Sequence, residues 1–248
     1  MKRLTLAGVM IMALSLPLAA EEVSVAVAAN FTDATRDIVT LFEKASGHKV
    51  KASFGSTGKL YSQIEYGAPF EVFLSADSKH PQLAENTGLA VDGTRFTYAF
   101  GKLALWSPKA DLFDDAQAYL KAAAFKRIAI ANPKTAPYGL AAQQVLERLG
   151  LWSTLRPRLV QGDSIAQAFQ FVATGNAEAG FVALPQVNAW KTSEGSVWEI
   201  PQEYYTPIEQ QGVLLEKGRE SVAARAFLAF LKSDQARAVI TGYGYGVK

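Results

Sequence analysis

The stretch VSVAVAANFTDATRDIVTLFEKASGHKVKASFGSTG, residues 23–58, decides how this chain is organised. Its first six residues carry valine at every second position, the period of a β-strand, and the run stops at Ala29-Asn30-Phe31-Thr32. Helical spacing follows, with Ala34, Ile38, Leu41, Phe42 and Ala45 on one face and Gly47 as the terminator. Alternation resumes in Val50-Lys51-Ala52-Ser53-Phe54 and breaks at Gly55-Ser56-Thr57-Gly58. Strand, helix and strand at this spacing make a βαβ unit, which calls for a largely parallel sheet.

The same alternation continues on both sides of a long interruption. A short helix over residues 59–66, closed by Gly67, leads to the apolar run Val72-Phe73-Leu74 and its end at Ser75-Ala76-Asp77. Residues 96–106 form an extended stretch too long for one small sheet, which marks a crossing between two lobes. Beyond it come a strand over 127–130, a break over 132–139 and a helix over 140–149. A second break at Gln161-Gly162-Asp163-Ser164 precedes a helix carrying Ile165, Ala168, Phe169 and Val172, then a strand over 180–184. Residues 200–211, with Pro201 and Pro207, read as the return crossing; a strand over 213–215 and a helix from 220 to about 231 finish the chain. The expected architecture is two-lobed α/β, each lobe a mainly parallel sheet flanked by helices, with two crossings. In residue numbers, 1–20 are an export signal, 21–100 the first lobe with 206–248 returning to it, and 101–205 the second lobe.

Composition narrows what such a fold does. The chain has 248 residues, 49% hydrophobic and 19% charged, with no low-complexity tract, so it can bury a sizeable core and is neither disordered nor a stapled miniprotein. Having no cysteine, it has no thiol nucleophile, thiolate metal site or disulfide. Its formal charge of +2 sits in Lys2 and Arg3. These head an apolar run over residues 4–14 that ends in Leu18-Ala19-Ala20, the pattern of a cleaved secretory signal. The run is short for a membrane span and is broken by Pro17. Cleavage after Ala20 leaves 23 basic against 23 acidic residues and removes all three methionines, so the expected mature protein is periplasmic and electrically balanced. No later segment is apolar enough to span a bilayer, and no Lys/Arg cluster marks a nucleic-acid surface.

Catalytic constellations are poorly supplied. His48 lies in a helix-to-strand turn and His80 beside Pro81, and both read as surface residues. No Gly-x-Ser-x-Gly elbow, P-loop or Gly-x-Gly-x-x-Gly fingerprint follows any strand. No His, Cys or carboxylate spacing suits a bare metal ion, and Asp114-Asp115 fall on a loop. The expectation is a protein that is not an enzyme and has no cofactor.

What recurs instead is a strand, a short break rich in hydroxyl, amide or glycine residues, and a helix start. It occurs at Asn30, at Ser56-Thr57-Gly58, at Pro137-Tyr138-Gly139 and at Asp163-Ser164-Ile165. A helix N-terminus leaves about four backbone N–H groups unpaired and carries roughly half a positive charge, so it holds an anion without any lysine or arginine. Each break alone is an ordinary helix cap. Four of them at the strand-to-helix ends of two lobes fall where doubly wound sheets bind ligands. The breaks lack nearby cations apart from Lys59 and Lys134, which favours neutral donors and a fully deprotonated, symmetric dianion. Phosphate retains a proton that wants an acceptor, and Asp163 reads as a cap facing away. Sulfate-like or molybdate-like anions fit better.

At this point the sequence resembles a known family. Residues 28–34 (AANFTDA), 53–58 (SFGSTG), 63–77 (QIEYGAPFEVFLSAD) and Pro137-Tyr138-Gly139, in this order, are similar to the periplasmic molybdate-binding proteins of ABC transporters. The resemblance covers the whole mature chain. It implies a two-lobed, Venus-flytrap protein that closes on molybdate or tungstate and delivers it to a membrane permease, as a monomer with no nucleic-acid partner. Asn30 falls where the family often has a serine donating to the oxyanion, offering its side-chain amide and backbone N–H. Thr57 falls on a second hydroxyl-donor position with Ser56 beside it. Tyr138 falls on a backbone-donor position in the second lobe and Ile165 on another, with Ser164 as a further candidate. Where many members carry a tyrosine ligand this chain has Ala183, so Tyr138 is expected to supply that hydroxyl. The alternatives are a binding protein for sulfate or another small oxyanion and, against the missing catalytic groups, an exported α/β hydrolase.

Overall fold

A computed structural model of the chain describes residues 20–190, 192 and 195–247. The expected export signal lies outside the described residues, except for Ala20. The chain opens with β1 (Glu22–Ala28), whose Val23, Val25 and Val27 pack on one side of the sheet and Ala26 on the other. A single 3-10 turn, Ala29–Phe31, runs directly into α1 (Thr32–Ser46). Gly47 stops that helix in the left-handed region (φ 77°), where glycine alone is free of a Cβ penalty. There follow β2 (Lys49–Gly55), α2 (Thr57–Glu65), β3 (Val72–Ser75), α3 (Lys79–Asn86) and β4 (Phe96–Gly101). The next run is β5 (Leu103–Ser107), α4 (Ala116–Ala122), β6 (Ile128–Ala131), α5 (Pro137–Arg148), α6 (Trp152–Leu155), β7 (Leu159–Gly162), α7 (Ile165–Ala173), β8 (Ala179–Ala183), α8 (Leu184–Ala189) and β9 (Ser196–Glu199). The chain ends with β10 (Ile208–Leu214), α9 (Val222–Leu231) and α10 (Asp234–Gly242).

The strands form two five-stranded sheets, β2-β1-β3-β10-β4 and β7-β6-β8-β5-β9, each flanked by helices, so the molecule is a two-lobed α/β protein. β1 runs parallel to β2 and β3, and β6 runs parallel to β7 and β8. β10 is antiparallel to both its neighbours, and so is β5, which leaves four strands of each sheet pointing one way. The reversed strand is in each case the one that follows a crossing. Its partners aim their carboxyl ends at the gap between the lobes, so a strand that enters its sheet from that gap must run away from it. Leu103 starts β5 opposite Ala183 at the end of β8, and Ile208 starts β10 opposite Gly101 at the end of β4.

Three apolar cores hold the lobes together, one on each face of the first sheet and one in the second lobe. Phe31, Ile38 and Phe42 of the first helical stretch lie against Val25, Val27 and Phe227, and the second lobe is built on Leu103, Leu105, Trp106 and Phe181. Each such side chain contributes about 1.5–3 kcal/mol by leaving water.

Several local expectations differ from the structure. The stretch over residues 96–106 is two strands in two sheets, separated by Lys102 alone. The return crossing is shorter than expected because β10 begins at Ile208: Gln210 and Gln211 are polar but buried, which masks a strand to a reader of hydrophobic alternation. α5 begins at Pro137, so Pro137-Tyr138-Gly139 is the first turn of the helix, with proline at a position where its missing N–H costs nothing. His48 is buried rather than on the surface: its ring stacks on Phe42 and Nδ1 accepts from the Glu21 N–H at 3.2 Å. Asp115 is the cap of α4, accepting from the Gln117 and Ala118 N–H groups. The helices α3, α4, α6, α8 and α10 and the strand β9 are not among the elements expected from the sequence.

Candidate functional site

The carboxyl ends of β1, β2 and β3 and the starts of α2, α5 and α7 meet around a small cavity of about 10 Å³ between the lobes. The first lobe supplies Ala28 to Asn30, Gly55 to Thr57 and Ala76; the second supplies Ala136 to Tyr138 and Ile165. Asn30, Ser56, Thr57, Tyr138 and Ile165 are thus brought to one place, each no more than 5% exposed. Ser164 is not on the wall. Its hydroxyl accepts from the Gln167 N–H at 3.3 Å and caps α7.

The helix starts leave donors free. Ser56 precedes α2 in extended backbone, yet its hydroxyl caps nothing and is buried without a partner. An unpaired buried hydroxyl costs about 1–3 kcal/mol, which a ligand oxygen would recover. Thr57 begins α2, and its Oγ1 accepts from the Ala76 N–H at 3.0 Å, leaving its own proton to donate. Because Pro137 has no N–H, Tyr138 carries the first amide of α5; Ile165 carries the first amide of α7.

Asn30 differs from expectation. Its side-chain Nδ2 donates to Gln210 Oε1 at 2.8 Å and to the Tyr245 hydroxyl at 3.2 Å, so both amide protons are engaged behind the cavity. What Asn30 leaves free to donate is its backbone N–H. Three residues absent from the sequence reading complete this layer. Gln210 Nε2 donates to the Tyr138 hydroxyl at 3.5 Å, the Tyr98 hydroxyl donates to the Ser75 carbonyl at 3.0 Å, and the Tyr245 hydroxyl donates to the Asn30 carbonyl at 2.6 Å. The one signal that pointed to them was the polar pair Gln210-Gln211 inside an otherwise apolar strand. Burial holds the Tyr98 and Tyr138 phenols well above the usual tyrosine range and raises Tyr245 as well, so all three stay protonated at neutral pH. The Tyr138 hydroxyl lies against Gly101, where any Cβ would overlap it. Ala183, fully buried at the end of β8, brings no hydroxyl to the site.

The lobes touch across the cavity in three further places. The Gly58 N–H donates to the Thr135 carbonyl at 2.8 Å, and a Cβ on Gly58 would stand 3.1 Å from Thr135 Cα. Lys59 Nζ meets an Asp163 carboxylate oxygen at 2.8 Å, both side chains being exposed. Asn188 Nδ2 donates to the Tyr243 carbonyl at 3.0 Å. Asp163 therefore faces Lys59, and the helix cap beside it is Ser164. Two wider grooves, of about 310 and 380 Å³, open on either side of the cavity.

No lysine, arginine, histidine or carboxylate lies among the residues lining the cavity. The arrangement can surround a compact, acceptor-rich ligand with neutral donors and brings no acid or base to it.

Comparison with known proteins agrees with this geometry. The family of bacterial extracellular solute-binding proteins matches residues 23–246. The molybdate-binding protein ModA of Azotobacter vinelandii is 57% identical over 230 residues, covering 92% of this chain and 91% of that protein. ModA of Rhodobacter capsulatus is 51% identical over 236 residues, covering 95% and 92%. A solved structure of an Azotobacter vinelandii periplasmic molybdate-binding protein superposes with a TM-score of 0.87 at 43% identity, covering 91% of this chain and 99% of that one. The chain belongs to the bacterial extracellular solute-binding proteins, and within them to the ModA type.

Proposed function

We propose that this protein captures molybdate, or its close analogue tungstate, in the cavity between its lobes and delivers it to the permease of an ABC transporter. The observation that carries this reading is the convergence of neutral donors from both lobes on one small cavity, including a Ser56 hydroxyl with no protein partner. The assigned donors are the backbone N–H groups of Asn30, Tyr138 and Ile165 and the hydroxyls of Ser56, Thr57 and Tyr138. Relatives covering nine-tenths of the chain carry molybdate in their names.

Burying a dianion is costly unless every oxygen is hydrogen-bonded. Donors on one lobe alone cannot surround it, so the anion favours the closed state, the only one in which it meets all its partners. Closure would bend the chain at Lys102 and within residues 200–207, dividing it into lobes 21–100 with 206–248 and 101–205. With no acid or base on the cavity wall, the protein binds and releases its ligand unchanged. The signal-like segment before Glu21 makes it an exported, periplasmic protein, and a single copy holds a complete site.

Thermal unfolding with molybdate, tungstate, sulfate and phosphate separately tests the reading. A ligand at ~100 times its Kd adds ~2.7 kcal/mol, and at roughly 2–4 °C per kcal/mol for a chain of this size the midpoint rises by roughly 5–10 °C. The expected order is molybdate and tungstate far above sulfate, with phosphate last. A flat response to all four overturns the proposal, and a response to sulfate alone replaces it with a sulfate-binding protein.

A further inference from the structure

Behind the cavity, the orientation of the Asn30 amide follows from one phenol. The Tyr245 hydroxyl lies 2.6 Å from the Asn30 carbonyl oxygen, which can only accept, so the single phenolic proton is committed there. The same hydroxyl oxygen is 3.2 Å from the Asn30 side-chain amide and must therefore accept from it. This settles the amide orientation: the NH2 end faces Tyr245, because the reverse would press two proton-free oxygens together. The second Nδ2 proton then goes to Gln210 Oε1 at 2.8 Å, an oxygen that also accepts from the Tyr98 hydroxyl at 3.2 Å, and the Gln210 NH2 is thereby turned toward the Tyr138 hydroxyl at 3.5 Å. Tyr138 accepts, and its own proton has no acceptor among the described residues. The cavity it lines is where that proton is left to donate.

We infer that Tyr245 is a positioning residue which, through Asn30 and Gln210, makes the Tyr138 hydroxyl a donor to the bound anion and so tunes the site to oxyanions that carry no proton. The inference rests on the oxyanion reading above. Without the Tyr245 hydroxyl, Asn30 can turn over, Gln210 can follow, and Tyr138 can spend its proton on Gln210 and show a lone pair to the cavity. A hydrogen-bearing anion such as phosphate at pH 7 would then find an acceptor that the native site withholds.

Calorimetric titration of the wild type, Tyr245→Phe and Thr35→Val with molybdate, and with inorganic phosphate in competition, tests this. Tyr245→Phe keeps the ring that packs edge-on against Phe31, 5.3 Å between centroids. It is expected to weaken molybdate about tenfold and to narrow the molybdate-over-phosphate preference by at least about tenfold, the scale of one hydrogen bond to a charged group. Thr35→Val removes a buried hydroxyl of the same lobe, one that donates to the Phe31 carbonyl at 2.7 Å, without touching the path from Tyr245 to Tyr138, and should leave that preference within about twofold. An unchanged preference in Tyr245→Phe, or an equal change in both variants, overturns the inference while the oxyanion reading stands. If the wild type binds neither anion, the functional reading itself falls. Neutron diffraction of the deuterated wild type with molybdate bound reads the same path without any substitution. A deuteron on Tyr138 directed at the anion supports the inference, and one directed at Gln210 refutes it.

Discussion

Thr57→Val keeps the shape of the side chain and deletes its hydroxyl, and the structure separates the two losses that follow. The Ala76 N–H, which donates to Thr57 Oγ1 at 3.0 Å, is left buried with no acceptor. Both residues belong to the first lobe, so this loss is present whether the lobes are open or closed. It costs about 1–3 kcal/mol and lowers the melting temperature of the ligand-free protein by roughly 2–12 °C. The other loss exists only in the complex. The Thr57 proton, which has no acceptor among the described residues, no longer reaches the anion, and a hydrogen bond to a charged group is worth about 1.5–3 kcal/mol. That is roughly a 10- to 150-fold rise in Kd. Scanning calorimetry of the ligand-free protein reads the first term and isothermal titration with molybdate the second. Thr57→Ser, which retains the hydroxyl, should restore most of both. A Kd within about twofold of wild type in Thr57→Val, together with a lowered melting temperature, would show that the hydroxyl serves Ala76 alone and refute its assignment to the anion.

Three further outcomes are expected. Gly58→Ala places a Cβ 3.1 Å from Thr135 Cα only when the lobes are together, so overpacking of about 1–3 kcal/mol should weaken molybdate five- to 150-fold, roughly, and leave the ligand-free melting temperature unchanged; calorimetry of both states checks it. Asp163→Asn removes an exposed ion pair with Lys59 and should raise Kd by no more than about fivefold, an effect that fades in titrations at roughly 0.5 M salt. Burial raises the Tyr98, Tyr138 and Tyr245 phenols, so their contribution to stability is intact below the unfolded tyrosine value of about 10 and is lost as pH rises above it towards their folded values. Ultraviolet titration should show these three ionising together with alkaline unfolding, and phenols that all titrate normally in a folded protein would contradict the burial argument.

The fold was legible where hydrophobic period and chain direction agree. The alternation of Val23, Val25 and Val27, the stripe of Ile38 and Phe42, and the punctuation at Gly47 and Gly55 are enough to specify βαβ units, because each is a local rule. The breaks at the strand ends were legible for the same reason, and the structure gathers Asn30, Thr57, Tyr138 and Ile165 around one cavity. What was not legible depends on partners far away in the chain. Gln210 reads as loop until its neighbours are known, since it is buried by Asn30, Tyr98 and Tyr138, which lie 180, 112 and 72 residues from it. His48 reads as surface because a histidine after a helix-ending glycine is usually solvated, and only the Glu21 N–H and the face of Phe42 make its burial favourable. Asn30 was placed correctly at its strand end, but the direction of its amide is decided by Gln210 and Tyr245.

The order of strands in the first sheet has a consequence for how the chain is made. β10, from Ile208–Leu214, inserts between β3 and β4, so that sheet lacks an interior member until most of the polypeptide has been synthesised. The second sheet draws all its strands from one uninterrupted segment, 103–199, and needs nothing from either end. Contacts between near neighbours in sequence form faster than those that must close a long loop. The second lobe is therefore the natural seed of folding, and the first lobe waits for it.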